Sequence, residues 1–514
     1  MKNNKNKSVQ VLTTTLLVLL SMYSEVHATE SLPFMADDLN QNERWASNHQ
    51  GTQKGNYLLV VKRHINETNS WTTLKINGDP LKNTDHLAYG KPVYAMTDGL
   101  VTHCWRNAPE NPRPRQASDD SKSQVWLHPA IKSKQIPAGG NELWIKNKDG
   151  SRYHYAHMTR GSIPKHLCPN ENALFNQTGV SETAIPMNKQ TWVKKGQFLG
   201  MVGNSGNSPT TQLSISKHVN SQRSRLIFAS GLASTNNDIN KWYSFAGKSI
   251  PEGSVLIWPP RQLRAEYTRH QISEEKFKSL FLHLADSGYA PEWIDGYSVD
   301  GKAYYNFIWR PSKTQWRAYF GKTIQQYQQL IKSARNDGYS ASQIESYLSG
   351  NQIHYAVIFK KLSEAWHEEH QLNAEQHQVA LFKAIDNGFS PVNISVVSKD
   401  SQRLFTVLYK KNLTNNWLIE TGLDATEYQN IVNLNHESGV KPIYINSYMH
   451  EGKPLFAVIF AKILDGNWRV LHDLDNVTLP SAWKNSTGRG MLTRMVSGYD
   501  GDLGDHRFTA LWRQ

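Results

Sequence analysis

The chain has 514 residues and a formal charge of +13, with 39% hydrophobic and 20% charged residues. That length exceeds what one compact core accommodates, so at least two domains are expected. Beyond the first 28 residues no stretch approaches the roughly 20 consecutive apolar residues of a membrane-spanning helix, which excludes a spanning segment from the mature chain.

The chain opens on a basic MKNNKNK, an apolar VLTTTLLVLLSMY and the small-residue site Val26-His27-Ala28. This is the pattern of a secretory signal peptide over residues 1–28. Export to the periplasm or the medium is expected. Leaving out Lys2, Lys5, Lys7 and Glu25 lowers the charge to +11. A basic exported protein meets anionic envelope polymers. Zinc-knuckle spacing and RNA-binding aromatic signatures are missing, so nucleic acid is not an expected partner.

Residues 29–258 are dense in short strands separated by Gly, Asn and Pro: NYLLVVKR, KPVYAM, GLVTHCW, NELWIKN, RYHYAHM, QFLGMVG and TQLSIS. Such spacing predicts a largely antiparallel β domain. PENPRPRQASDDSKSQ, with its prolines and serines, reads as a long exposed loop. Cys104 and Cys168 are the two cysteines. A single pair in an exported chain is expected to form a structural disulfide, which a loop of this length makes worth about 4 kcal/mol.

After a linker at 259–272, containing Pro259-Pro260, the sequence repeats itself five times to residue 514. A Gly-aromatic step recurs at Gly288-Tyr289, Gly338-Tyr339 and Gly388-Phe389, with Gly439-Val440 as a looser copy. Trp316, Trp366, Trp417 and Trp468 keep the same period, and MVSGYDGDLGDHRFTALW is a degenerate last unit. Each unit reads as a helix, a Gly-containing turn and two strands, giving an α+β chain with an array of about five units. The apolar triplets FIW, VIF, VLY, VIF and ALW are expected to be buried between neighbours.

The repeated phrase resembles the tandem repeat found beside the hydrolase domain of polyglycine hydrolases, which implies a non-catalytic recognition module. The first half resembles the lysostaphin/LytM-type zinc endopeptidases, hydrolases of peptidoglycan, in three blocks: GKPVYAMTDGLVTHCW, NELWIKNKDGSRYHYAHM and VKKGQFLGMVGNSGNSPTTQLSIS. That family hydrolyses amides with a zinc ion held by two His and one Asp, assisted by further histidines. The resemblance puts His157 at the Y-x-H position of the assisting histidine. Asp85 stands near the carboxylate ligand, one residue short of the usual spacing to Gly90. The ligand His expected four residues earlier is Leu81, and the H-x-H pair is replaced by Ser214 and Ser216. Serine hydroxyls are poor zinc ligands. The resulting expectation is a peptidoglycan-directed pseudoenzyme that binds envelope polymer or regulates another wall hydrolase, with no cofactor. An alternative is an active zinc endopeptidase whose site is rebuilt from Asp85, His86, His157 and His218. A third reading is an adhesive or host-directed protein that works through its repeats. Ser214-Ile-Ser216-Lys217 also matches the S-x-x-K nucleophile motif, but it falls on a strand where that chemistry needs a helix.

Overall fold

The computed structural model describes residues 30–48, 56–65, 70–120, 122–169, 183–235, 238–411, 417–462, 466–501 and 504–514. The signal-peptide reading therefore lies outside the described residues. No helix among them is long and apolar enough to cross a membrane.

The first half is built on one antiparallel sheet. Its central strands run side by side in the order Ser254–Trp258, Glu43–Asn48, Asn56–Ile65, Leu213–Val219, Arg152–Met158, Asn141–Lys146 and Gly99–Trp105. Every strand expected from the sequence is present, with KPVYAM and QFLGMVG supplying a separate two-stranded ribbon, Pro92–Tyr94 with Phe198–Met201. Alternation decides which side chains go inside. Tyr57, Leu59 and Val61, Leu143 and Ile145, Tyr153 and Tyr155, and Leu213 and Ile215 fill the core. The residues between them stand on the opposite face. Cys104 and Cys168 are joined, tying the edge of the sheet to the following loop. The PENPRPRQ loop departs from the expected exposed loop. Asn111 is fully buried, and its side chain donates to the carbonyls of Gly206 at 2.9 Å and Ser208 at 3.0 Å.

An ion pair between the buried Glu30 and the half-buried Lys217 anchors the first described residues of this half. Lys217 reaches Glu30 at 2.7 Å, and the same carboxylate accepts from Tyr153 Oη at 2.9 Å and the Ile227 N–H at 2.8 Å.

Each of the five repeats is a three-stranded sheet with a helix, and carries one more strand than expected. The extra strand precedes the helix: Tyr267–Ser273, Trp316–Lys322, Trp366–Leu372, Trp417–Leu423 and Trp468–Leu474. The recurring Trp thus opens the next repeat rather than closing its own. The expected linker shrinks accordingly, because residues 267–273 belong to the first sheet, and residues 259–264 are held against both halves. Arg261 N donates to Ser287 Oγ at 3.0 Å and Gln262 N to Asp37 at 2.8 Å. The apolar triplets form the central strand of each sheet and are buried, Phe307, Ile308 and Trp309 among them. Capping boxes start the middle three helices at Thr323, Asn373 and Asp424. Gly288, Gly338, Gly388, Gly439 and Gly490 follow the helices with φ between 70° and 87°, a conformation that favours glycine.

The second strand of each repeat lies innermost: Tyr289–Val299, Ser340–Ser349, Phe389–Lys399, Val440–His450 and Leu492–Asp500. Side chains on one inner strand hydrogen-bond the backbone of its neighbour. Ile344 N donates to Asn393 Oδ1, Val396 N to Asn446 Oδ1 at 2.8 Å, and Ser447 N to Ser497 Oγ at 2.9 Å. The fifth repeat returns to the first, with Trp293 Nε1 donating to the Val496 carbonyl at 2.9 Å. The array is therefore a closed ring. All five inner strands line an axial cavity of about 100 Å³.

Candidate functional site

The sheet face opposite the β-domain core carries the candidate site. Antiparallel pairing places Ser214 opposite Ala156, Ser216 opposite His154, and His218 opposite Arg152. Trp144 lies opposite His154 on the other side. One face therefore presents Ser214, Ser216 and His218 beside His154, Trp144 and Glu142.

These side chains bind one another. Ser214 Oγ donates to Asn56 Oδ1 at 3.1 Å, while Ser216 Oγ and His218 Nε2 share a hydrogen bond of 3.1 Å. His154 Nε2 meets Glu142 at 2.9 Å. Its ring stacks on Trp144 at 4.2 Å, and His218 approaches the same indole edge-on at 5.1 Å. Burial, then the neighbouring His154, Arg223 and Arg152, hold the His218 imidazole below its ordinary pKa. A neutral imidazole follows at neutral pH. Lys217 of the S-x-x-K match points to the opposite side of the sheet, to Glu30.

His157, the penultimate residue of the Arg152–Met158 strand, has φ 69°, a left-handed backbone unusual for a bulky residue. Its Nδ1 donates to the Ser205 carbonyl at 2.9 Å. Burial pushes its pKa down to about 4. It is a neutral histidine clamped to the GNSGNS turn. That turn is held from the other side by Glu110, which accepts from Asn204 N at 2.6 Å. Burial raises the Glu110 pKa.

The remaining ligand candidates point elsewhere. Asp85 closes a short turn, Asn83–Asp85, and accepts from the Asp79 N–H at 3.0 Å, which lowers its pKa. His86 Nε2 donates to the Pro80 carbonyl at 3.2 Å. Leu81 is exposed in the same loop. Among the described residues, no three His, Cys, Asp or Glu side chains converge as a metal-holding group. The rebuilt set of Asp85, His86, His157 and His218 is thus not assembled: two of its members are tied into their own loop and one to a turn. A catalytic zinc needs three protein ligands on one centre, and the described residues do not fit it. What the face offers is a stacked aromatic, a carboxylate–imidazole pair and two hydroxyls. The sequence alone does not single out Glu142, Trp144 and Asn56. The alternation Glu142, Trp144, Lys146 in NELWIK marks their common face, but only strand register sets it beside His154.

Residues 264–312, 313–362, 363–412, 414–463 and 466–514 each match the family model of the polyglycine hydrolase-like structural repeat. The second half of the chain is thus five such repeats, the first beginning ahead of the expected boundary at 273. No curated protein matches the chain. Among solved structures, the chain is similar to the catalytic domain of the antimicrobial peptidase lysostaphin from Staphylococcus simulans. That likeness has 16% identity and a TM-score of 0.16, and covers 38% of this chain and 86% of that one. A zinc-containing peptidase from Vibrio cholerae is similar at 14% identity and a TM-score of 0.14, covering 33% and 48%. The solution structure of lysostaphin is similar at 12% identity and a TM-score of 0.15, covering 55% and 79%.

Proposed function

We propose that this is an exported, envelope-directed binding protein whose β domain holds peptide or glycan of peptidoglycan without cleaving it. The observation that carries the reading is the occupation of the H-x-H positions. Ser214 and Ser216 stand there, with their hydroxyls committed to Asn56 and His218. The neighbouring Trp144, His154 and Glu142 supply an aromatic face and polar partners suited to an amide or sugar. The basic character of the chain favours an anionic polymer. The ring of repeats serves recognition, or contact with a wall hydrolase that this protein regulates.

Purified residues 29–514 are to be titrated with zinc and sedimented with peptidoglycan. Co-sedimentation without release of soluble fragments, and without stoichiometric zinc, is the expected result. Chelator-sensitive cleavage accompanied by one tightly bound zinc would overturn it in favour of an active endopeptidase.

A further inference from the structure

At three of the four other seams, aromatic rings pack the helix of one repeat on the first strand of the next. Phe281 meets Trp316 at 6.0 Å and Phe320 at 5.4 Å, Tyr327 meets His370 at 5.6 Å, and Tyr428 meets His472 at 5.6 Å. The closing seam should pair the last helix, Thr478–Gly488, with the first strand, Tyr267–Ser273. A cavity of about 330 Å³ lies between them instead.

Position by position, the difference falls on one residue. Phe281, Ile331, Leu381, Val432 and Trp483 each stand seven residues before the glycine that ends their helix. Phe281, Ile331 and Val432 are 5%, 4% and 5% exposed and Leu381 is half-buried, whereas Trp483 is 38% exposed and lines the cavity. The largest side chain of the series is the one left uncovered. The last helix is also shorter, 11 residues against 13 in the others, and has Pro480 in its first turn.

The interior of this cleft is apolar, formed by Leu479, Pro480, Trp483, Val496 and Trp512. Its rim is cationic, with Arg261, Arg264 and Arg269. The two carboxylates at the rim are already engaged. Asp37 is held by Arg261 at 3.1 Å and by the Gln262 N–H, and Glu266 by Thr493 and by Arg310 at 3.3 Å. Arg269 lies 4.4 Å over Tyr267 and has no carboxylate within ion-pair distance among the described residues. Arg264 is mostly exposed and reaches Asp37 only at 3.6 Å. Guanidinium groups of this kind suit a carboxylate, and an apolar cavity of this size suits a small ligand body.

We propose that the closing seam is a binding site for an amphiphilic anion, a carboxylate on an acyl or aryl body. The body fills the space over Trp483 that the neighbouring strand fills at other seams, and the carboxylate meets Arg269 and Arg264. This goes beyond the envelope-binding reading and uses none of the residues of the candidate sheet face, so either can fail alone.

The test is isothermal titration of the mature chain with decanoate, 1-naphthoate and decanol. One carboxylate per chain is expected to bind, with decanol at least tenfold weaker. Trp483→Ala should weaken carboxylate binding by tenfold or more. Arg269→Gln should weaken it about fivefold and bring it close to decanol. Both substitutions are at solvent-facing positions, and circular dichroism checks that the fold persists. Binding of neither carboxylate, equal binding of decanoate and decanol, or unchanged affinity in both variants would each overturn the proposal.

Discussion

The carboxylate of Asp295, in the first repeat, accepts the backbone N–H of Gly498, in the fifth, at 2.9 Å. The same exchange links consecutive repeats, where Ser395 Oγ accepts from Ser346 N and Ser497 Oγ from Ser447 N, both at 2.9 Å. Closure thus uses the ordinary inter-repeat hydrogen bond, but with an acid in place of a neutral acceptor. Among the described residues no cationic side chain compensates it. Burial pushes Asp295 up to about 7, and burial together with the Asp295 charge raises Glu345 further round the ring.

The pH dependence follows from that raised value. An acid whose pKa is higher in the folded state contributes stability that is complete below about pH 4 and is lost as the pH rises to about 7. The melting temperature should therefore fall between pH 5 and pH 8. Asp295→Asn keeps an oxygen for Gly498 and should reduce that fall by on the order of 5 °C. An equal fall in the variant, measured by calorimetry, would show that Asp295 is not its source.

The two halves meet through a stack that titrates in the opposite direction. Arg44 lies 4.2 Å over Trp258, Trp258 stacks on His283 at 4.0 Å, and His283 Nε2 donates to the Pro259 carbonyl at 2.8 Å. Burial pushes His283 down to about 3, so its contribution is complete above about pH 6.5 and is lost as the pH falls towards 3. At pH 4 the loss is about 3 kcal/mol. Asp286, on the same helix turn, is pushed up to about 6 by burial and opposes this in part. Calorimetry should show one coupled transition at pH 7 and two at pH 4. His283→Phe, which keeps the stack without the titration, should remain coupled at pH 4.

On the candidate sheet face, Trp144→Ala removes the aromatic on which His154 stacks. Co-sedimentation with peptidoglycan should fall about tenfold while the melting temperature changes little. Asp85→Ala should leave binding unchanged, because that carboxylate serves its own turn. A loss of binding with Asp85→Ala equal to that with Trp144→Ala would argue that Asp85 takes part in binding after all.

Glu30→Ala leaves the half-buried Lys217, the Tyr153 hydroxyl and the Ile227 N–H without their acceptor. Breaking a fully buried pair from one side costs about 3–5 kcal/mol, and a smaller loss is expected here because Lys217 keeps access to water. The double change Glu30→Leu with Lys217→Met should recover much of that in urea unfolding, since neither charge then remains.

Much of the architecture is legible in the residues. Alternation in RYHYAHM and NELWIKN predicts the strands, and the recurrent Gly-aromatic step predicts the repeats, because local spacing sets both. The first strand of each repeat is not legible in the same way. WHEEHQL has polar residues at consecutive positions, and its strand form comes from pairing with a central strand some 40 residues later. Ring closure rests on contacts about 200 residues apart, such as Asp295 with Gly498. The site divides likewise. The loss of H-x-H is plain at Ser214 and Ser216, whereas the engagement of Asp85 by Asp79 depends on how one loop turns. Trp144 joins the site only through its register with His154.

Closure also fixes a number. An open stack of repeats can gain or lose a unit at either end, and its neighbours barely register the change. In a circle whose last member must reach Gly498 back to Asp295, a sixth unit or a missing fifth breaks the joint between the ends. Duplication and deletion of whole units, the usual way such arrays vary, are closed to this chain. Its repeats can diverge in sequence, as the last helix has done at Trp483, but they cannot change in count.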